Sequence, residues 1–162
     1  SQFLGVLYTI DENGDVWWYR HRFVEVVEGC RKIDNARWDG PQKVKSKFPK
    51  YTQVFSGGDG IIYGLDEKGD LTWQRHDNWA TGGTLWEEPR QVHLHIKEVT
   101  QIFGAGQGNI YTVDNQGNLK YYRHIGWRDG SGQWEEKGVP IGGVPKLHTI
   151  FAYAPLPSGI MP

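Results

Sequence analysis

The sequence predicts an all-β protein built from repeats, on three observations. There are 22 glycines beside 8 tryptophans, 8 tyrosines and 6 phenylalanines in 162 residues. One motif occurs three times, and no segment sustains a 3.6-residue apolar period. Many turns and many large rings suit short strands packed through aromatics, with almost no helix.

The motif is YTIDENGDVWWYRH at residues 8–21, YGLDEKGDLTWQRH at 63–76 and YTVDNQGNLKYYRH at 111–124. The second and third copies lie 48 residues apart, whereas the first and second lie 55 apart. Trp38, Trp86 and Trp134 recur at a spacing of 48, which puts an insertion of seven residues between His21 and Trp38, around Cys30. A further landmark, Val54-Phe55, Ile102-Phe103 and Ile150-Phe151, keeps the same spacing of 48.

Each copy reads as about four short strands. In the third they are expected near residues 100–104, 109–113, 119–124 and 134–140. Asp114-Asn115-Gln116-Gly117 reads as a hairpin loop, with Gly117, like Gly14 and Gly69, in the left-handed region. Side chains alternate across a strand, so the aliphatic Val16, Leu71 and Leu119 and the aromatic Trp18, Trp73 and Tyr121 mark the packed face. Arg20-His21, Arg75-His76 and Arg123-His124 recur unchanged, which implies one local job done three times.

A single repeat domain is expected over residues 1–154, with copies at about 1–50, 51–98 and 99–146. The first copy begins at its second strand, and residues 147–153 read as an extra first strand that closes it. A proline-rich tail follows at 155–162. Repeats of this size build two closed folds. A β-trefoil closes with three inside one chain, whereas β-propellers use four-stranded blades, typically 4–8 of them. Three blades per chain would need a partner to complete the ring, and a homodimer of six blades is the expected assembly.

The residues break that tie. Ile61-Ile62-Tyr63 through Arg75-His76, then Asp77-Asn78-Trp79, and Asn109-Ile110-Tyr111 through Trp134 with Ile141-Gly142-Gly143, resemble blades of the tachylectin family of β-propeller lectins. The resemblance covers nearly the whole chain. It implies four-stranded blades and sugar pockets between neighbouring blades that favour N-acetylated hexoses such as N-acetylglucosamine. The first copy departs from the pattern in its insertion and in the loss of its loop tryptophan, where Val24 stands.

The loops after the repeated Arg-His carry chemistry that suits a sugar. Trp79 and Trp127 each lie three residues beyond His76 and His124, among Asp77, Asn78, Arg128, Asp129, Ser131 and Gln133. A pyranose lays its C–H face on an aromatic ring, while its hydroxyl and acetamido groups need oriented donors and acceptors. The candidate ligand-binding residues are Arg75, His76, Asp77, Asn78, Trp79, Arg123, His124, Trp127, Arg128, Asp129 and Gln133. The competing reading has Trp79 and Trp127 capping the core. Trp38, Trp86 and Trp134 are expected in the core, and Arg20, Arg75 and Arg123 are expected to pair with Asp11, Asp66 or Asp114.

Other chemistries find little footing. Lysine plus arginine total 18 against 19 acids, a net charge of −1, so nucleic acid is not an expected partner. No apolar run nears the ~20 residues that span a bilayer, so no membrane insertion is expected. The lone Cys30 excludes an intrachain disulfide and a multi-cysteine zinc site. The turn at residues 11–15 resembles half a calcium loop, but Lys68 and Gln116 occupy ligand positions in its copies. His93 and His95 share a strand face without a third ligand nearby, and Lys43, Lys45, Lys47 and Lys50 suit a guarded edge strand. No catalytic motif is present, and Glu87-Glu88 and Glu135-Glu136 point to opposite faces as adjacent strand residues. No enzyme, metal or cofactor is therefore expected. A protein-interaction module, or an asymmetric enzyme pocket near residues 22–37, are the alternatives to a lectin. No uncleaved signal peptide is evident; a secreted protein is expected, a cytoplasmic one being the alternative.

Overall fold

The computed structural model describes residues 3–22, 26–27, 30–31 and 38–145. The expected closing strand at 147–153, the tail at 155–162, Val24 and most of the insertion lie outside these residues.

The first copy forms β1 (Phe3–Ile10), β2 (Val16–Arg22) and β5 (Trp38–Lys45), with β3 (Val26–Val27) and β4 (Cys30–Arg31) between them. The second forms β6 (Gln53–Gly58), β7 (Ile61–Leu65), β8 (Asp70–Arg75) and β9 (Arg90–His95). The third forms β10 (Val99–Gly104), β11 (Asn109–Asp114), β12 (Asn118–His124) and β13 (Trp134–Gly143). The sheets run β1-β2-β5, β6-β7-β8-β9 and β10-β11-β12-β13, and β3 and β4 pair as a small hairpin within the insertion. All pairings are antiparallel. Each sheet draws its strands from one copy. A trefoil would mix strands of different copies in one barrel, so these are propeller-type blades. The helical content among the described residues is one 3₁₀ turn, Ile125–Arg128.

Sequence chemistry explains the hairpins. Gly14, Gly69 and Gly117 have φ of 76°, 90° and 85°, the left-handed values expected of them. The Asp66 carboxylate accepts the backbone N–H groups of Lys68 and Asp70, both at 2.9 Å, and Asp11 and Asp114 do the same in their turns. These acids close turns. They do not pair with the arginines.

Two arginine partners, Asp39 and Glu135, stand on the last strand of their copy, and the third, Glu87, lies just before it. Arg20 meets Asp39 at 2.6 Å, Arg75 meets Glu87 at 3.6 Å and Arg123 meets Glu135 at 3.8 Å. Register gives the reason: Ile10 pairs Val16 beside the turn, so Arg20 lies four residues, about 13 Å, from it. Asp39, Glu87 and Glu135 themselves recur at a spacing of 48, one residue beyond the repeated tryptophans. In the second copy Trp86 precedes the last strand, joined to His76 by a single bridge. Pro89 offers no N–H, and the strand resumes only at Arg90.

The described chain divides into two compact units, Ser1–Lys50 with His76–Trp86, and Tyr51–Arg75 with Glu87–Pro162. In the first, Val16, Trp18, Val44 and Phe48 are buried. In the second, Ile61, Tyr63, Leu65, Leu71 and Trp73 of one sheet share a core with Ile102, Ile110 and Tyr122 of the other. The packed face expected from alternation is therefore right for Val16, Trp18, Leu71 and Trp73. It is wrong for the third copy, whose Leu119 and Tyr121 are half-buried while Ile110 and Tyr122, on the opposite face, are enclosed. The third sheet has apolar side chains on both faces and turns the one with Ile110 and Tyr122 to the second sheet, and alternation alone does not say which is covered.

Candidate functional site

The loops joining the third and last strands of the second and third copies are built alike, each on the sheet of the copy before it. In the first unit, the Trp18 indole N–H donates to the Trp79 carbonyl at 2.7 Å and Arg20 donates to the Ala80 carbonyl at 2.6 Å. In the second unit, Trp73 donates to the Trp127 carbonyl at 2.8 Å and Arg75 to the Arg128 carbonyl at 3.4 Å. Gly82 (φ 77°) and Gly130 (φ 68°) lie flat on the indoles of Trp18 and Trp73, where an added Cβ would stand 2.6 Å and 2.5 Å from ring carbons.

Beneath each loop runs a short chain of hydrogen bonds. Tyr8 Oη lies 2.7 Å from His76 Nδ1, and His76 Nε2 lies 2.6 Å from the Gly83 carbonyl. Tyr63 Oη, His124 and the Ser131 carbonyl repeat this at 2.7 Å and 2.7 Å. A carbonyl only accepts, so Nε2 carries the proton and Nδ1 accepts from the tyrosine. Both imidazoles are 0 % exposed. Burial, partly countered by the hydrogen bond to the carbonyl, lowers their pKa and keeps them neutral. Burial likewise pushes the Tyr8 and Tyr63 hydroxyls up. Each imidazole stacks on the next tryptophan: His76 on Trp86 at 4.5 Å and 8°, His124 on Trp134 at 4.4 Å and 20°.

The expected site residues thus divide into a floor and a rim. His76 and His124 belong to the floor, with both ring nitrogens engaged and no surface for a ligand. Trp127 joins them: it is 9 % exposed, packed into the core, with the Arg128 guanidinium 4.9 Å over its ring. The core-capping reading describes this tryptophan. Trp86 and Trp134 are half-buried as expected of packing residues, but Trp38 is exposed.

The rim is what solvent meets. Asp77, Asn78 and Trp79 are half-exposed in one loop, and Arg128, Asp129 and Gln133 are exposed in the other, with Arg75 and Arg123 half-exposed. Asn78 Oδ1 accepts the Leu85 N–H at 3.1 Å, which closes its loop. The Gln133 carbonyl accepts from Ile125 at 2.9 Å and Gly126 at 3.2 Å. Asp129 accepts the Ser131 N–H at 2.9 Å, and that bond holds its carboxyl below the usual range. Arg90 donates to the Asp129 carbonyl. Arg123 turns back to the Gln107 carbonyl, so it does not follow Arg20 and Arg75 in holding a loop.

Tyr8, Tyr63, Gly82 and Gly130 were not singled out from sequence. Their signal was present: Tyr8 and Tyr63 open the repeated motif, and the glycines sit 48 residues apart in otherwise unlike loops. A separate concavity of about 510 Å³ lies where the turn at Asp66 to Gly69 meets the connection at Ile96 to Val99. It has no aromatic ring in its lining and is poorly suited to a pyranose face. The described residues contain no cluster of three or more metal-ligating side chains, and no helix among them is long and apolar enough to cross a membrane.

A family model described as Tachylectin matches residues 2–149. No curated protein matches the chain.

Proposed function

The chain belongs to the tachylectin family, a family of carbohydrate-binding lectins, and we propose that it binds N-acetylated hexoses such as N-acetylglucosamine at its two repeated loops. The observation that supports this is the paired construction of those loops. Each presents a different polar rim on the same locked floor of indole, imidazole and backbone. In the second-copy loop the half-exposed Trp79 takes the sugar's C–H face, while Asp77 and Asn78 meet hydroxyl and acetamido groups. In the third-copy loop Arg128, Asp129 and Gln133 supply the polar contacts, with Arg75 and Arg123 at the margins. His76, His124 and Trp127 act from beneath by fixing the loops. No step of this reading involves catalysis, a metal or a cofactor.

Shallow single sites of this kind are weak, and function comes from multivalency when several engage one glycan surface. A homodimer doubles the number of loops. Residues 147–153 carry the apolar pattern of β6 and β10, and β1 has a hydrogen-bonded neighbour on one side only among the described residues. The expected domain, 1–154 with its closing strand, is part of this proposal.

Glycan-array screening followed by titration with N-acetylglucosamine tests it. Trp79→Ala and Asn78→Ala should abolish binding at one loop and leave the other, halving the stoichiometry of the titration. Unchanged binding in both variants removes these residues from the site. A folded protein that binds polypeptide and no glycan on the array supports the interaction-module alternative.

A further inference from the structure

We propose that a second copy of this chain packs on it head to tail, the third repeat of one protomer against the first repeat of the next. Tyr111 and the Pro140 carbonyl would lie on one side of the contact, and His21 stacked with Trp38 on the other. The proposal rests on the homodimer reading above and specifies the contact that forms it.

The template is present twice within the chain. In the first unit Tyr8 bonds His76 at 2.7 Å, and Trp86 donates to the Val44 carbonyl at 3.0 Å. In the second unit Tyr63 bonds His124 at 2.7 Å, and Trp134 donates to the Val92 carbonyl at 2.7 Å. Each time the earlier copy gives a tyrosine and a carbonyl, and the later copy gives a histidine stacked on a tryptophan. Carried on by the repeat spacing, the next tyrosine is Tyr111 and the next carbonyl is that of Pro140. The remaining stack is His21 on Trp38, preformed at 4.7 Å and 12°. Among the described residues, the Tyr111 hydroxyl, the His21 ring and the Trp38 indole N–H make no hydrogen bond, although their counterparts in the other copies do.

The sheet faces agree with this pairing. In the second unit, the Tyr63 and Trp73 face of one sheet packs on the Ile110 and Tyr122 face of the next. Among the described residues, one face of each kind is left without such a neighbour. Phe103, Tyr111 and Tyr121 on the third sheet are half-buried. On the first sheet Leu7, the counterpart of Ile110, is 49 % exposed, and Trp38 is 47 % exposed. Both surfaces are aromatic and aliphatic, the composition enriched at interface cores. Because they differ, the contact is heterologous, and it closes a ring only if the rotation allows. Both sides also depart from the template together. Tyr121 replaces the indole of Trp18 and Trp73 and bonds Asn109 at 2.8 Å, while the first copy carries its insertion between His21 and Trp38, the stretch of sequence that corresponds to the loops holding Trp79 and Trp127.

Sedimentation equilibrium of the full chain tests this, with sugar binding per chain measured in parallel and the circular-dichroism spectrum of each variant compared with wild type. The wild type should form dimers. Trp38→Ala should raise the dissociation constant about ten-fold or more, as truncation of a central aromatic anchor does. Tyr111→Phe should weaken association by a smaller factor, and its effect should be non-additive with His21→Ala in a double-mutant cycle. A chain that stays monomeric at high micromolar concentration overturns the contact and the homodimer together, and the sugar measurement then judges the lectin reading alone. A dimer that survives Trp38→Ala, with additive effects at Tyr111 and His21, overturns this contact and keeps the homodimer. Larger assemblies that dissociate on the same substitutions support the contact and overturn the dimer.

Discussion

Tyr63→Phe removes one oxygen atom from the core of the second unit and should destabilise the protein far beyond its size. Tyr63 and His124 are both 0 % exposed, and the lost hydroxyl is the donor to His124 Nδ1 at 2.7 Å. The imidazole has no escape by changing tautomer. Moving the proton to Nδ1 would set the Nε2 lone pair against the Ser131 carbonyl 2.7 Å away. Nδ1 is therefore left as a buried acceptor without a donor, which costs about 1–3 kcal/mol. At this chain length each kcal/mol shifts the melting temperature by about 2–4 °C, so a fall of roughly 2–12 °C is expected. Thermal melting followed by tryptophan fluorescence at pH 7.5, where the histidine is neutral in folded and unfolded states, reads the effect directly. Tyr8→Phe is the natural comparison, with a smaller loss because Tyr8 is only half-buried. A loss below about 0.5 kcal/mol for Tyr63→Phe, within the range of an ordinary surface change, would refute the locked relay.

The same histidines predict a pH dependence. Their folded pKa values lie below the ordinary 6.5, so their contribution is complete above pH 6.5. Below it the unfolded chain binds protons that the folded chain refuses, and stability falls by up to about 1.4 kcal/mol per pH unit for each histidine. The loss continues until the pH reaches the folded value, and a urea midpoint that stays flat from pH 7 to 5 would contradict it. Gly130→Ala and Gly82→Ala should each cost about 2–4 kcal/mol, from a left-handed backbone and a Cβ driven into an indole, with chemical denaturation as the measure. Asp39→Asn should cost under about 1 kcal/mol, because its pairs with Arg20 and Arg22 are partly solvated; a larger fall in the denaturation midpoint would show the pair to be structural.

Much of this architecture was legible because the repeat reports registers as well as strands. A spacing of 48 placed the turns, the repeated tryptophans and the two loops, and the third-copy strands begin and end within a few residues of their expected bounds. Partners were harder to read. Asp11 was a plausible mate for Arg20 by proximity in sequence, whereas hairpin register carries Arg20 away from the turn and toward Asp39. Recurrence showed that His76 and His124 do one job without saying which. Imidazole serves equally as ligand contact or as buried strut, and only the tyrosine below and the carbonyl above decide. Trp127 failed as an exposed platform for a related reason: a ring beside polar loop residues still packs inward when a core lies open beneath it.

Because each loop rests on the sheet of its predecessor, organised loops are counted by junctions, and three successive copies give two. An unaccompanied copy would carry the residues of the loop without the surface that shapes it. Duplicating a copy therefore adds a finished loop in one step, since the new neighbour supplies the tyrosine, the indole and the carbonyl on which that loop is laid.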